Sequence, residues 1–317
     1  MRVIDAISDG LRHSMLRHDD LVLMGQDIAD YGGVFKITDG FLAEFGADRV
    51  RNTPLCESAI VGIGLGLSLE GIKSMVEMQF ADFVTCGFNQ IINNLAKLHY
   101  RWGASADVVV RMPAGGGMSA GPYHSQSNEA WFFKTPGLKI AYPSNPIDAK
   151  GLLISAIDDP NPVLFFEHKF LYRSVKDDVP TEAYAIPFGQ AAIPKSGDAC
   201  TIVTYGAAVQ WAIEALDELG VHGEVIDLRT LVPLDMDTVE ASVRKTHRAL
   251  LLHEDTMTGG VGAEIAARLG ETLFNHLDAP IMRVASLDTP VPFAKNLEDI
   301  FMGKARLKET ITKLINY

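Results

Sequence analysis

Residues 201–228 read TIVTYGAAVQWAIEALDELGVHGEVIDL: a short apolar strand, a helix of about three turns and a second short apolar strand. Gly220 follows the last apolar residue of the helical segment and predicts the end of that helix. Downstream, helices are predicted at 238–245 and 262–269, and strands at 249–253 and 281–284. Such alternation is typical of a parallel, doubly wound sheet. We therefore predict an α/β domain of this kind over residues 191–317.

The first part of the chain contains the same two kinds of element in a less regular order. Strands are predicted at 21–25, 76–79, 108–112, 139–142 and 163–167, and helices at 88–99 and 148–158. A polar stretch at 174–184, with Lys176-Asp-Asp178 and Pro180, is typical of a surface linker. The sequence thus predicts a first α/β domain over residues 1–190, with the boundary in the segment 187–195.

The apolar run at 58–69 predicts a helix that contains three glycines, Gly62, Gly64 and Gly66. Each glycine lowers the stability of an isolated helix by about 1 kcal/mol relative to alanine. We therefore expect this helix to pack tightly against another backbone, which favours a subunit interface.

Composition excludes several classes of protein. The 317 residues include 28 Lys and Arg and 40 Asp and Glu, and the net charge of -12 argues against a nucleic-acid surface and a basic membrane-docking face. The run at 58–69 is shorter than the roughly 20 residues that span a bilayer. The beginning lacks the apolar core of a secretory signal. Three cysteines without CxxC spacing indicate neither a disulfide framework nor a zinc site, so we expect a reducing, cytoplasmic location.

Glu57 is the first candidate for chemistry, because it directly precedes the apolar run. Desolvation there would favour the protonated carboxyl group, which can share a proton with a ring nitrogen. The alternative is an ordinary glutamate at a helix N-terminus, stabilised by the helix dipole.

His124 is the second candidate, at the end of a loop that has four glycines between residues 113 and 121. Glycines let a backbone approach a ligand closely, and a histidine there could donate a proton near neutral pH. The alternative is a solvated loop histidine. Gln79, Phe80 and Phe83 follow a predicted strand and could form an aromatic wall with one amide for a heteroaromatic ring. The alternative is ordinary core packing.

Two glycine patterns carry weak signals for phosphate binding. The loop at 115–121 lacks the Lys-Ser/Thr ending of a phosphate loop, and the segment 258–264 departs from the dinucleotide fingerprint. His253-Glu254-Asp255 stands where ligands often bind in parallel sheets, but the pattern favours an ordinary loop that caps the next helix.

A series of motifs occurs in order along the chain: Asn52-Thr-Pro-Leu-Cys-Glu57, Glu77-Met-Gln-Phe-Ala-Asp-Phe83, His124-Ser-Gln-Ser127-Asn-Glu-Ala130, Thr135-Pro-Gly-Leu-Lys139, Asp148-Ala-Lys-Gly-Leu-Leu153, Pro162-Val-Leu-Phe-Phe-Glu167, Leu171-Tyr-Arg173 and Asp227-Leu-Arg-Thr-Leu231. They closely resemble the beta subunit of thiamine-diphosphate-dependent 2-oxoacid dehydrogenases, over essentially the whole chain. The resemblance implies an N-terminal pyrimidine-binding domain and a C-terminal domain like that of transketolase.

The resemblance also implies residue roles. In that family, the glutamate at the position of Glu57 hydrogen-bonds the aminopyrimidine ring nitrogen of thiamine diphosphate and thereby promotes formation of the nucleophilic thiazolium ylid. Phe83 lies against that ring, and Leu55 and Gln79 line the same pocket. His124 acts in acyl transfer to a lipoyl group. A structural potassium ion would fall on Val108, Ala156, Asp159 and Asn161, mainly through backbone carbonyls.

One absence shapes the expected assembly. Related enzymes that hold the diphosphate and its magnesium carry Gly-Asp-Gly, whereas here Gly197-Asp198 is followed by Ala199. The resemblance therefore implies an alpha subunit that holds the magnesium, in a heterotetramer of two alpha and two beta chains, and a lipoyl acyltransferase as a further partner. The segment 52–83 looks more like branched-chain enzymes than pyruvate enzymes, with acetoin enzymes and a non-catalytic transketolase-fold scaffold as alternatives.

Overall fold

Two β-sheets, each flanked by helices, organise the chain, and the computed structural model describes all 317 residues. The strands are β1 (Val22–Gly25), β2 (Val50–Asn52), β3 (Ser74–Glu77), β4 (Val108–Ala114), β5 (Lys139–Ala141), β6 (Val163–His168), β7 (Ala192–Lys195), β8 (Thr201–Thr204), β9 (Glu224–Asp227), β10 (Thr230–Val232), β11 (Ala249–Thr256) and β12 (Met282–Ser286).

The helices are α1 (Val3–Arg17), α2 (Phe41–Phe45), α3 (Glu57–Leu69), α4 (Val84–Asn89), α5 (Ala96–Trp102), α6 (Ala130–Phe133), α7 (Pro146–Asp158), α8 (Leu171–Ser174), α9 (Ala208–Leu219), α10 (Met236–Thr246), α11 (Val261–Leu273), α12 (Lys295–Phe301) and α13 (Lys304–Ile315). No helix has both the length and the apolar character needed to span a bilayer.

The first sheet has seven strands in the order β10-β5-β6-β4-β3-β1-β2. All neighbouring pairs are parallel except β10 and β5. β10 comes from the second half of the chain, directly after Arg229, whose φ of 59° turns the backbone away from β9. The first sheet is therefore completed by a strand that lies beyond the predicted first domain.

The second sheet has five strands in the order β12-β11-β8-β9-β7. Its pairs are parallel except for the edge strand β7, which runs antiparallel to β9. The predicted α/β class with parallel-dominated sheets is thus confirmed. The prediction that the second sheet is parallel throughout is wrong at this edge, where β7 is antiparallel. β7 has the sequence Ala-Ile-Pro-Lys, and its short, half-exposed pattern carries little strand signal.

Several helices differ from the sequence prediction. The predicted helix 88–99 lies in a longer helical run of α4, a π-helical segment at Gln90–Leu95 and α5. The helices α1, α12 and α13 were not predicted. In α1 the buried residues Ile4, Ile7, Leu11 and Met15 recur at helical spacing, and in α13 Leu307, Ile311 and Leu314 do the same, so the apolar faces of these two helices were present in the sequence.

The glycines of α3 do not pack against another backbone within the chain. A Cβ at Gly64 would lie 3.0–3.3 Å from side chains of β3 and β4, whereas one at Gly66 would meet nothing within 4 Å. Ile63 and Leu69 on the outer side of α3 are exposed. Gly64 therefore allows α3 to pack closely on the first sheet. A subunit interface at the outer face of α3 remains a prediction.

Candidate active site

The candidate residues follow the carboxyl ends of neighbouring strands in the first sheet. Gln26 follows β1, Phe80 and Phe83 follow β3, His124 ends the loop after β4, and Lys169 follows β6. Glu57 begins the helix after β2. These five strands are adjacent in the order β6-β4-β3-β1-β2. Since ligands bind at this edge of parallel sheets, the topology gathers residues as far apart in sequence as Gln26 and Lys169 into one region.

Glu57 is the first residue of α3 and is only 4% exposed. The side-chain amide of Gln26 donates a hydrogen bond of 2.9 Å to Glu57 Oε1, while Oε2 makes no hydrogen bond within the chain. Gly87 of α4 packs against the first turn of α3, and a Cβ there would lie only 3.3 Å from the Glu57 backbone carbonyl oxygen. Close helix packing and one amide therefore fix the carboxyl group and leave one oxygen available.

An aromatic cluster lies at the end of β3. The Phe80 ring centroid is 4.8 Å from that of His124 and 5.8 Å from that of Phe83, and Phe83 is 5.6 Å from His124. All three contacts are edge-to-face, an arrangement favoured by the quadrupoles of aromatic rings. The structure thus brings together two of the predicted residues, Phe83 and His124, and His124 is a packed side chain rather than a freely solvated one.

Leu55 and Gln79 lie on the open side of the region. Leu55 is 79% exposed. Gln79 is half-buried and donates a hydrogen bond of 3.3 Å to Asp27 Oδ2. An exposed leucine beside a buried carboxyl group gives an apolar surface that this chain does not cover.

The glycine loop, residues 115–121, is held by acidic side chains from the second half of the chain. Glu254 Oε1 accepts hydrogen bonds from the Gly116 amide at 2.6 Å and from Ser127 Oγ at 3.2 Å. Glu254 Oε2 lies 2.7 Å from His168 Nε2. Burial alone would raise the pKa of Glu254, but the His168 ring and the Gly116 amide outweigh it and hold that pKa below its ordinary value.

The segment His253-Glu254-Asp255 lies at the end of strand β11, and not in a loop that caps the next helix. His253 packs beneath the turn before α11, where a Cβ at Gly260 would lie 2.4 Å from its ring. Gly260 and Gly262 thus allow the turn and the first residues of α11 to pack closely against the His253 ring.

Lys169 lies behind the aromatic cluster. Its Nζ is 5.7 Å from the Phe80 ring centroid and makes no hydrogen bond. Burial lowers the pKa of Lys169 to about 8, although Asp82, Glu254 and Glu298 oppose the shift. The ammonium group adds positive charge to an otherwise acidic region.

A buried ion network supports the sheet beneath this region. Arg111 on β4 donates to Glu77 Oε2 at 2.6 Å and to Glu167 Oε2 at 2.7 Å, and all three side chains are almost fully buried. Tyr172 donates to the same Glu167 oxygen at 2.6 Å. Each charge is paired, which a buried charge requires. The motif residues Glu77 and Glu167 therefore serve the scaffold of the site.

Three of the predicted potassium residues lie at the C-terminal end of α7. Ala156 lies in the last turn, Asp159 is the C-cap, and Asn161 donates to Asp159 Oδ1 through its backbone and side-chain nitrogens at 2.9 and 3.0 Å. Val108 begins the neighbouring strand β4. Residue 160 is proline, which has no N–H to donate to the Ala156 carbonyl four residues earlier. That carbonyl is thus free of its helical hydrogen bond.

Two family models match the chain, Transketolase, pyrimidine binding domain over residues 1–175 and Transketolase, C-terminal domain over residues 189–306. The 2-oxoisovalerate dehydrogenase subunit beta of Bacillus subtilis is 46% identical over 310 residues, which cover 95% of this chain and 94% of the relative. This chain belongs to the family of 2-oxoacid dehydrogenase beta subunits.

Further similarities of this beta subunit point in the same direction. The pyruvate dehydrogenase E1 component subunit beta of Staphylococcus epidermidis is 44% identical over 300 residues, 93% of this chain and 92% of the relative. A solved split gene transketolase, described as an inactive beta4 tetramer, superposes with a TM-score of 0.80 and covers 100% of this chain and 98% of that one. At 22% identity, that structure shows the shared fold alone.

The sequence prediction missed four residues that the structure places around the site: Gln26, Lys169, Glu254 as a loop contact, and Glu298. Gln26 carries one usable signal, because it is a polar residue directly after a buried strand that could lie at a ligand-binding sheet edge. Glu298 carries none, since its partners are about 180 residues away in sequence.

Proposed function

We propose that this beta subunit binds the pyrimidine end of thiamine diphosphate and, with an alpha subunit, decarboxylates a 2-oxoacid and passes the acyl group to a lipoyl group. The observation that carries the proposal is the buried Glu57 carboxyl group, fixed by Gln26 through one oxygen and free at the other. A carboxyl group in this state can hold a proton at a ring nitrogen.

The residues fit one end of the cofactor and not the other. Oε2 of Glu57 and the rings of Phe83 and His124 offer a proton-sharing atom and an apolar wall for a flat heteroaromatic ring. The amides of the glycine loop, which could otherwise receive a phosphate, are taken by Glu254 and Glu298 of this chain. We therefore assign the diphosphate and its magnesium to the alpha subunit.

Bound thiamine diphosphate supplies a carbon nucleophile and a sink for the electrons released by decarboxylation. Glu57 holds and moves the proton at the pyrimidine nitrogen. Phe83 orients the ring, and Leu55 and Gln79 complete the pocket together with the partner subunit. His124 holds a proton near the reacting acyl group during transfer to the lipoyl group.

A potassium ion at Val108, Ala156, Asp159 and Asn161 is part of the proposal. The free Ala156 carbonyl in the last turn of α7 supports it, because potassium suits oxygen ligands and a helix C-terminus carries partial negative charge. The ion would brace the turn between α7 and β6, remote from the chemistry.

The remaining parts of the proposal concern organisation. We place the domain division at residues 190/191, because every strand of the second sheet follows it and every strand of the first sheet except β10 precedes it. We infer a heterotetramer of two alpha and two beta chains that works with a lipoyl acyltransferase. The outer face of α3, with exposed Ile63 and Leu69, suits the subunit contact. The free thiols of Cys56, Cys86 and Cys200 suit the reducing cytoplasm.

The substrate proposed first is a branched-chain 2-oxoacid such as 2-oxoisovalerate, on the motifs of residues 52–83. Pyruvate is the second candidate, because pyruvate dehydrogenase relatives are nearly as similar as the 2-oxoisovalerate relative. The test is co-expression with the alpha subunit from a neighbouring reading frame, followed by decarboxylation assays with 2-oxoisovalerate, pyruvate and acetoin. Highest kcat/KM for 2-oxoisovalerate supports the proposal, and activity with none of the three refutes it.

The need for a partner has its own test. Calorimetric titration of the isolated chain with thiamine diphosphate and magnesium is expected to show weak binding, and the same titration of the complex tight binding. Tight stoichiometric binding by the isolated chain would refute the shared site.

A further inference from the structure

We propose that Glu298 is a positioning residue for acyl transfer: its carboxylate occupies the amide nest of the glycine loop and thereby holds the segment that carries His124. The inference rests on the function proposed above for His124. It concerns a residue of α12 that is distant in sequence from every predicted site residue.

The backbone of the glycine loop forms an anion-binding nest. Gly115, Gly117, Ser119 and Gly121 have φ angles of 88°, 87°, 55° and 71°, in the left-handed region. When left-handed residues alternate with others, successive amides point into one concavity that favours a negative charge. Glu298 supplies that charge: Oε1 accepts from the Gly117 amide at 2.8 Å, and Oε2 accepts from the Ser119 amide at 2.9 Å and from Ser119 Oγ at 3.4 Å.

The fit between Glu298 and the loop is close on all sides. Glu298 is 1% exposed. A Cβ at Gly116 would lie 3.1 Å from Glu298 Oε1, and a Cβ at Gly121 would lie 2.2 Å from the Phe293 ring. Together with the bond from the Gly116 amide to Glu254, these contacts hold the loop at several points from the second half of the chain. A loop so rich in glycine has little conformational preference of its own, so the contacts select its conformation.

His124 depends on this loop. It lies three residues after Gly121, and its amide donates to the Gly121 carbonyl at 3.4 Å. Its ring then packs edge-on against Phe80 and Phe83. Glu57 has its own support from Gln26 and makes no side-chain hydrogen bond to the loop. Release of Glu298 should therefore disturb acyl transfer more than decarboxylation.

The test uses the complete complex with the alpha subunit and compares Glu298→Ala and Glu298→Gln with Asp299→Asn, an exposed carboxylate one residue away. Decarboxylation is measured with an artificial electron acceptor, acyl transfer with a free lipoyl domain, and loop order by hydrogen exchange of peptides covering 113–124. For Glu298→Ala we expect faster exchange confined to these peptides, acyl transfer lowered about 10-fold or more, and decarboxylation within about 3-fold of wild type. Glu298→Gln keeps the shape of the side chain, so its exchange rate and its acyl-transfer rate should lie between those of Glu298→Ala and wild type. Asp299→Asn should match wild type in all three measurements.

Unchanged exchange in Glu298→Ala, or equal losses in both partial reactions, would overturn the inference. If Glu298→Ala fails to assemble, Glu298→Gln decides by the same two readouts. His124→Ala is measured in parallel: normal acyl transfer in that variant would refute the proposed function of His124. That result can be distinguished from a failure of the Glu298 inference, because hydrogen exchange reports on the contacts of Glu298 and does not depend on any activity measurement.

Discussion

Gln26 Nε2 and Glu57 Oε1 are joined by a hydrogen bond of 2.9 Å between two buried side chains. The bond connects the residue after β1 with the first residue of α3, and it leaves Glu57 Oε2 as the atom available to a ligand. A neutral amide partner fixes the carboxyl group without adding a second negative charge beside it.

Replacement of Gln26 by leucine tests this relationship. Leucine has a similar volume but cannot donate, and removal of one partner of a buried hydrogen bond costs about 1–3 kcal/mol. We expect decarboxylation by the complex to fall about 10-fold or more, with cofactor affinity also reduced. Asn275→Ala, an exposed amide in the second half of the chain, is the control and should match wild type. Wild-type decarboxylation by Gln26→Leu would show that the bond has no role in positioning Glu57.

His124→Ala addresses the other side of the site. Its ring contacts Phe80 and Phe83, and we expect reductive acylation of a lipoyl domain to fall at least about 100-fold, while decarboxylation measured with a dye falls less than about 5-fold. The exposed His222 gives the matched control, His222→Ala. Small and equal losses in both assays would instead indicate that the histidine contributes only packing.

Asp227 links stability to pH. It is buried at the end of β9, where it accepts hydrogen bonds from Ser144 Oγ and from the Arg229 amide. Burial raises the pKa of Asp227 to about 7, and the charge of Asp148 adds to the shift. Because the folded state holds this proton more tightly than the unfolded state does, the contribution to stability is complete below about pH 4 and is lost as pH rises through about 7.

Asp227→Asn mimics the protonated side chain. Relative to wild type, we expect little change in Tm at pH 4.5 and a gain of several degrees at pH 8, because each unit by which folding raises a pKa corresponds to about 1.4 kcal/mol of stability lost on ionisation. Asp217→Asn, at an exposed carboxylate, should shift Tm equally at both pH values. A Tm difference for Asp227→Asn that does not grow with pH would contradict the raised pKa.

Local patterns were sufficient for the scaffold but not for the contacts that complete the site. Short apolar runs predicted most strands, because buried parallel strands are apolar on both faces. The motif around Glu57 and the aromatic residues after β3 were also recognisable. The role of Glu298 and the pairing of β10 with the first sheet were not, since each depends on residues far apart in sequence meeting in space.

We propose that Glu57 holds and moves a proton during decarboxylation by the complex of this chain with an alpha subunit. The most direct test of this role is Glu57→Gln in the reconstituted complex. The variant keeps the shape of the side chain and removes the proton-sharing carboxyl group, so decarboxylation of 2-oxoisovalerate or pyruvate should fall about 100-fold or more, while assembly and melting temperature stay near wild type. Glu70→Gln, at the exposed far end of the same helix α3, should retain full activity. Decarboxylation by Glu57→Gln close to the wild-type rate would contradict the proposed role of Glu57.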